Sequence, residues 1–476
     1  MPLNLLIVHG DVPPPDRDAC SLRIFRICGL LADAGHRLTF LARGGLSQER
    51  NVQLLLDMGV QEVIPVDPER LLAHHRRTDV RLPFPLLDVP GLLDRGRFDV
   101  AWLSLYDVAE QYLPLIREYS PATRVVVDST DVHWVREHRG AVLNDNPVAL
   151  AAALRTRERE RLVYASADAL VAVSDVEAEA MRDLASEVPV GVVSIVHPVS
   201  DTMTTPAGRS GVLFVGNFNH APNVDAAVDF VASVWPLVRD ALPGVQLTLL
   251  GTDPPLAVQM LAGADVAVTG WVPEVEPYLE QARVAIAPLR WGAGVKGKIG
   301  EAMAEGVPVV TTSIGAEGMG LVDGEQALVA DAPDAFAAAV VRLHRDDDLW
   351  LGLVRAAKLH VAERLGPAAA WAGIESVLTT VAAPRWQVAV DAPWFDDALA
   401  DYAREYSAAD PATLVVTVPA GDPQAPAVAY ERVVEIAGRI GLDFAAMADV
   451  EITPWDARLP LPARTVVLDR PHRSVD

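Results

Sequence analysis

Residues 288–301 read Pro-Leu-Arg-Trp-Gly-Ala-Gly-Val-Lys-Gly-Lys-Ile-Gly-Glu, and this run holds two of the three lysines in the chain, Lys296 and Lys298. The third, Lys358, stands far along in a helix-like stretch, and the remaining basic positions are arginine. A compact ammonium in a tight loop pairs with phosphate where a broad guanidinium fits less well. Gly292, Gly294 and Gly297 let the backbone approach a ligand or take left-handed angles just before a helix starts. Amides at a helix N-terminus favour an anion, and two lysines add charge to that dipole. Together these parts make a diphosphate site, although not a P-loop, because the spacing before Lys-Ser/Thr is absent. Surface solubility is the plain alternative for the two lysines. Glu301 follows on the first turns of the same helix. Its carboxylate can accept two vicinal hydroxyls of a sugar or ribose, or form an i,i+3 ion pair with Lys298; spacing leaves both open.

Such a loop needs a strand behind it and a helix ahead of it, and the chain supplies that rhythm throughout. Leu5 to Val8, His36 to Leu41, Val100 to Leu103, Arg124 to Val127, Ala169 to Val173 and Val192 to Val196 read as strands. Helices such as Ser21 to Ala34, Val108 to Glu118 and Val148 to Ser166 separate them. Alternation of this kind predicts a parallel sheet covered on both faces, with ligands beyond the C-terminal ends of its strands. Pro198 to Arg209 reads as a linker, and a second series begins at Val212 with strands through Ala327 to Val329. Two α/β units in series imply a cleft between them, a common place for a polar substrate.

The expected division is 1–197, a linker at 198–210, a second unit at 211–380 and an extension or small third domain at 381–476. In that last part Pro384, Trp386 and Pro393-Trp394 read as loop, Asp396 to Tyr406 and Ala427 to Ile440 as helices, and Thr413 to Val418 and Thr465 to Leu468 as strands. So little apolar material barely supports a core of its own.

At 476 residues, 51% hydrophobic and 22% charged, the chain is expected to fold into two or three domains. A formal charge of −24 with no basic run argues against a nucleic-acid partner and against broad docking on anionic lipid. It leaves room for a small anion in a local positive pocket, and does not exclude peripheral membrane contact. Cys20 and Cys28 fall eight apart on one helix, so no disulfide joins them. The N-terminus shows no signal-peptide pattern and no apolar run reaches membrane-spanning length, which predicts a cytoplasmic protein. The histidines, among them His74, His75, His133 and His138, lack a compact partner set, so no metal is expected.

Four ordered blocks carry a resemblance. They are Gly211-Val-Leu-Phe-Val-Gly216-Asn-Phe-Asn-His-Ala-Pro-Asn223, Gly270-Trp-Val-Pro273, Ala287 to Lys298, and Glu301-Ala-Met-Ala-Glu-Gly-Val-Pro-Val-Val310-Thr-Thr. They resemble the nucleotide-sugar half of family 4, two-domain (GT-B) glycosyltransferases, over about Leu3 to Leu378. The resemblance implies two Rossmann-like domains facing a cleft and a helix crossing back to the first. It also implies transfer of a sugar from a nucleotide diphosphate sugar to a carbohydrate or other hydroxyl acceptor, with retention and without a metal.

Carried over by residue, Glu301 matches the second carboxylate of the paired-glutamate motif, assigned to the donor ribose. Where the first belongs this chain has Ala293, and the usual Arg and Lys after Gly216 are replaced by Asn217 and Asn219 nearby. In their place Lys296 and Lys298 are expected to clamp the diphosphate, and amides around Gly292, Gly294 and Val295 to hold the sugar, with Arg290 and Glu317 as further donor contacts. Asp128-Ser-Thr-Asp131-Val-His133-Trp134-Val-Arg136 resembles the Asp-X-X-Asp-X-His segment of one branch. There His133 would touch a sugar hydroxyl or assist the acceptor and Asp131 would orient it, with Trp134 and Arg136 on the acceptor side. The plain alternative is that Asp128 and Asp131 cap the next helix. Asp16, Arg17 and Arg23 stand where most relatives carry a glycine pair and are expected on the acceptor side or at the phosphate. An epimerase of the same architecture, or an inactive binding or assembly protein with a partner or second copy on 385–476, are the rival readings.

Overall fold

The computed structural model describes residues 2–16, 19–43, 49–64, 88–201 and 204–382, the stretches 385–389, 413–419, 424–439, 449–455 and 465–467, and Phe395, Leu399, Ala400 and Tyr402. The expected helix from Asp396 to Tyr406 falls mostly outside them, as do Arg17, His74 and His75.

Seven parallel strands form the first sheet: β1 Asn4–His9, β2 Arg37–Ala42, β3 Glu62–Ile64, β4 Val100–Ser104, β5 Arg124–Asp128, β6 Ala169–Ala172 and β7 Val190–Val192. Their order is β3-β2-β1-β4-β5-β6-β7. Side chains alternate between the faces with period two. Leu6, Val8, Leu103, Val125 and Val127 enter one core, and Leu5, Ile7, Trp102, Val126 and Val171 the other. The helix Pro367–Ala382 covers part of the second face with Ala370, Ile374, Val377, Leu378 and Val381.

The second sheet is also parallel, with β8 Gly211–Val215, β9 Leu247–Leu250, β10 Val266–Gly270, β11 Ala282–Ala287, β12 Val309–Thr311 and β13 Leu328–Val329 in the order β10-β9-β8-β11-β12-β13. Each sheet reverses its strand order once, between β1 and β4 and between β8 and β11. A crevice opens at such a point beyond the strand ends. In the second sheet it is walled by the loops after β8 and β11, which carry Gly216 and the two lysines.

A third parallel sheet orders β14 Arg385–Ala389, β15 Thr413–Pro419, β16 Asp449–Trp455 and β17 Thr465–Val467 as β16-β15-β14-β17. The helix Ala425–Arg439 buries Ala429, Val433, Ile436 and Ala437. Two readings of the sequence are corrected here. Trp386 lies in a strand rather than a loop, while Pro384, Pro393 and Trp394 fall outside the described residues; β16 was missed because Pro454 argues against a strand, and it lies at the sheet edge, where a missing N–H is tolerated. Nor does the strand expected at Val192 to Val196 sit there. Pairing runs over Val190–Val192, and after Val193 donates to the Ala172 carbonyl at 2.9 Å the chain leaves for the second unit.

One ion pair ties the first helix to the end of β5. Arg23 is almost fully buried, its Nη1 donating to Asp128 Oδ2 at 2.8 Å and its Nη2 to the Val193 carbonyl at 2.8 Å. Trp102 Nε1 donates to the same Asp128 oxygen at 2.9 Å. Asp128 therefore does not cap a helix, and Arg23, held by this pair, still borders the hollow beside Thr130 and Asp131. Asp128→Ala strands a buried guanidinium and a buried indole N–H, and is expected to lower the stability of the first unit by about 3–5 kcal/mol. Chemical denaturation checks this, and a loss well under that range would refute the role.

Candidate active site

The loop after β11 is anchored where Thr312 Oγ1 donates to the Leu289 carbonyl at 2.6 Å. It then bends through Gly292 and Gly294, at φ 151° and 72°, into the helix Gly297–Ala304. No side chain caps that helix, and its first residues, Gly297 and Lys298, border the crevice. Lys298 Nζ donates to Asn223 Oδ1 and lies 4.5 Å from the centre of the Phe214 ring. Burial, then the neighbouring Lys296 charge, push the Lys298 ammonium down to about 7. Lys296 turns inward, donating to the carbonyls of Ala293, at 3.3 Å, and Gly294. Burial lowers its pKa too, against the attraction of Glu317, Glu177 and Asp131. The two lysines thus divide the loop, Lys298 toward the crevice of the second sheet and Lys296 toward an acidic cluster at the seam between units.

Both units line the resulting hollows. Around Lys296 the walls are Cys20, Thr130, Asp131 and Arg136 from the first unit, and His220, Asn223, Trp291 and Gly292 to Val295 from the second. Lys298 also borders an adjoining hollow lined by Gly216, Asn217, Thr252, Trp271, Val272, Glu276 and Glu301, which Arg26 and His197 close from the other side. Burial raises the Glu301 carboxyl to about 7, with Glu276 adding to the rise and Arg26 opposing it. Glu301 therefore faces a cavity rather than pairing with Lys298. Burial and the nearby Arg26 charge lower His197 to about 3, so it is neutral.

The seam is tight at the loop. A Cβ on Gly294 would stand 2.9 Å from the Thr130 carbonyl oxygen and 3.1 Å from Asp131 Cβ, so only glycine fits. Its amide donates to Glu177 Oε1 of the first unit at 2.8 Å. Arg139 donates to the Gly292 carbonyl at 2.8 Å and makes a two-pronged pair with Glu317 at 2.6 and 2.8 Å. The Trp291 ring fills the space beside Gly140.

Next to it, Asp131 accepts from Arg136 and lies 3.2 Å from His133 Nδ1. Glu160, buried beneath, accepts from the amides of His133 at 2.9 Å and Trp134 at 3.1 Å. Glu160 thus supplies the cap that Asp131 does not. Tyr106 meets the His133 ring edge-on at 5.0 Å, and Arg157 lies over Trp134 at 5.4 Å.

The structure therefore brings Gly216, Asn217, Gly292, Gly294, Val295, Lys296, Lys298, Glu301, Arg23, Asp131 and Arg136 to two joined hollows. His133 stands behind Asp131 instead of in their walls, and Trp134 packs under Arg157. Arg290 pairs with Asp225 at 2.9 Å and Asp229 at 3.0 Å on a separate groove, where Asn219 also lies, bonded to Asp253. Asp16 borders the Glu301 hollow while paired with Arg50 at 2.7 Å. Glu317 is taken up by Arg139. Sequence reasoning missed Asn223, Arg26, Arg139, Glu160, Glu177 and His197. Of these, Asn223 stood within a quoted motif block, and Glu177 sits in Ser174-Asp-Val-Glu177, which reads as a helix start.

Among the described residues no group of three or more His, Cys, Asp or Glu is arranged to hold a metal ion, and no helix is long and apolar enough to cross a membrane.

Residues 209–346 match the family model described as Glycosyl transferases group 1. An uncharacterized 44.6 kDa protein in the cps region of Klebsiella pneumoniae is 29% identical over 144 residues, 28% of this chain and 37% of that protein's length. Among solved structures, TarM of S. aureus, in a complex that includes UDP, superposes with TM-score 0.60 at 8% identity, covering 79% of this chain and 99% of that one. HepE of Anabaena in complex with UDP-glucose gives 0.58 at 13%, over 79% and 100%. Sucrose-phosphate synthase of Thermosynechococcus elongatus gives 0.57 at 15%, over 78% and 97%. These likenesses show the two-sheet fold.

An anion at Lys298 favours its charged form, whereas the empty protein releases that proton near pH 7. Binding of a small anion such as sulfate above pH 7 is therefore expected to take up as much as one proton, with affinity falling as pH rises from 7.5 to 9, by at most about tenfold per unit. Calorimetry in buffers of different ionisation heat reads this directly. Lys298→Arg, which stays charged, is expected to flatten the dependence, and a pH-independent wild type would remove Lys298 from the contact.

Proposed function

We propose that this chain, related through residues 209–346 to the group 1 glycosyl transferases and built on the GT-B fold, transfers a sugar from a nucleoside diphosphate sugar to a hydroxyl acceptor with retention of configuration. The observation that carries the reading is the pair of joined hollows meeting at Lys298 and an uncapped helix N-terminus, one bordered by Glu301 and the other by the glycine loop and Asp131. Residues 211–380 would bind the donor and residues 1–197 would face the acceptor.

In this arrangement the nucleoside lies between Trp271 and Glu301, whose carboxylate accepts ribose hydroxyls. The diphosphate rests on the amides at the start of Gly297–Ala304 and on Lys298, which becomes fully charged beside it. The sugar then lies against the backbone of Gly292 to Val295, near Asp131. The acceptor oxygen attacks the anomeric carbon as the bond to the diphosphate oxygen breaks, and the acceptor proton passes to that leaving oxygen. Ala293 offers no carboxylate for a covalent intermediate, which favours attack on the same face. Rate enhancement rests on positioning and on charge held ready for the departing diphosphate. The binding of UDP by TarM and of UDP-glucose by HepE makes UDP-sugars the first donors to test.

Thermal-shift screening against UDP-, GDP- and dTDP-sugars, followed by turnover with sugar acceptors, tests the reading. Lys298→Met is expected to lower kcat/KM by about 100-fold or more. Glu301→Gln is expected chiefly to raise the donor KM. Failure of every nucleotide sugar to stabilise the chain would overturn the proposal, and nucleotide release with an inverted sugar but no acceptor product would favour an epimerase. Exposed Val428, Tyr430 and Val434 on the helix of the third sheet support a contact role for 385–476, which light scattering can test.

A further inference from the structure

We infer that Glu177, from the first unit, is a positioning residue of the donor loop, holding the Gly294 amide across the seam so that the glycine loop and Lys296 keep the geometry transfer requires. The inference rests on the proposed transferase reading for its kinetic arm only.

Glu177 begins as an ordinary helix-start residue. Ser174 caps the helix Asp175–Leu184, accepting from the Glu177 amide at 3.3 Å. In a capping box the Glu side chain would turn back to the amide of the cap. Here it goes elsewhere. Oε1 accepts from Val132 N at 3.1 Å, at the head of the His133–Leu143 helix, and from Gly294 N at 2.8 Å. A single buried oxygen therefore joins the segment carrying Asp131 to the loop carrying Lys296. Oε2 is buried with no hydrogen-bond partner. The side chain is absent from the walls of both hollows, which excludes direct contact with a substrate there and leaves position as its contribution.

The groups that face it explain why reach, and not charge, is the operative property. Asp131 repels a negative charge at Glu177, Lys296 attracts one, and Arg139 and Tyr164 also feel it. Burial, then Asp131, raise the carboxyl to about 8. Near neutrality it is therefore mostly uncharged, and a neutral acceptor oxygen still satisfies both amides. Losing that oxygen leaves two amides at the seam without their acceptor, at the point where Gly294 lies close against Thr130 and Asp131.

Two substitutions separate reach from charge. Glu177→Gln keeps the length and an acceptor oxygen but cannot ionise. Glu177→Asp keeps an ionisable carboxyl and withdraws the oxygen by one methylene. The inference expects Glu177→Gln to match wild type in amide exchange of peptides covering 292–298 and in turnover at saturating donor. Glu177→Asp is expected to speed exchange there about tenfold and to lower kcat about tenfold, with UDP affinity within about twofold of wild type. Wild-type exchange in Glu177→Asp, or an active Glu177→Asp beside an inactive Glu177→Gln, overturns the inference. Exchange needs no substrate, so a wild type that binds no nucleoside diphosphate and turns over no donor refutes the transferase reading while the exchange result still decides the role of Glu177.

Discussion

The close approach of Gly294 to Thr130 and Asp131 is the constraint on which the rest of the site depends. A loop that lacks a Cβ at that point can lie against the other unit, and everything else at the seam follows from the contact. The Gly294 amide reaches Glu177, Arg139 reaches the Gly292 carbonyl and Glu317, and the Trp291 ring covers Gly140. With those contacts made, Lys296 is folded inward among carboxylates, while Lys298 remains at the junction of the two hollows. One tight spot thereby assigns different tasks to two residues that the sequence presents as a pair.

The electrostatics are local. A chain with formal charge −24 would repel a nucleoside diphosphate at long range, yet its cavity presents an ammonium, an uncapped helix start and amides of a glycine loop. At contact distance these outweigh the diffuse field, which salt screens over about 8–10 Å. Holding Lys298 near its titration point in the empty protein limits the energy of a buried charge with no partner. On the proposed reading the site would become cationic when an anion shares the burial.

Much of the fold was legible because parallel strands covered on both faces write themselves as apolar runs between helices. The exceptions have physical reasons. β3 is only three residues long, β14 opens on Arg385 and carries Gln387, β16 contains Pro454, and β7 stops where the chain leaves for the second unit. Within the site, glycines and lysines close in sequence pointed to the loop, since their conformational and charge properties are local. Partners contributed from far along the chain were not readable. Arg139, Glu177 and Arg26 look like ordinary helix residues until the fold places them across the seam. Arg290 and Arg23 show the converse, with a promising type and neighbourhood but side chains already committed to Asp225 and Asp229, or to Asp128. Spacing gives proximity along the chain and says nothing of which way a long side chain turns.

The helix Pro367–Ala382 completes the core of the first sheet although more than a hundred residues of the second unit precede it in the chain. During synthesis the first unit is therefore completed only after the strands of the second have been made. Its strands emerge early, but the face that takes Ile374, Val377 and Leu378 stays open to water until the whole second unit has left the ribosome. A truncation before Pro367 would release a first unit with part of its apolar face uncovered. The same strap that makes the two units one molecule sets the order in which they can become native.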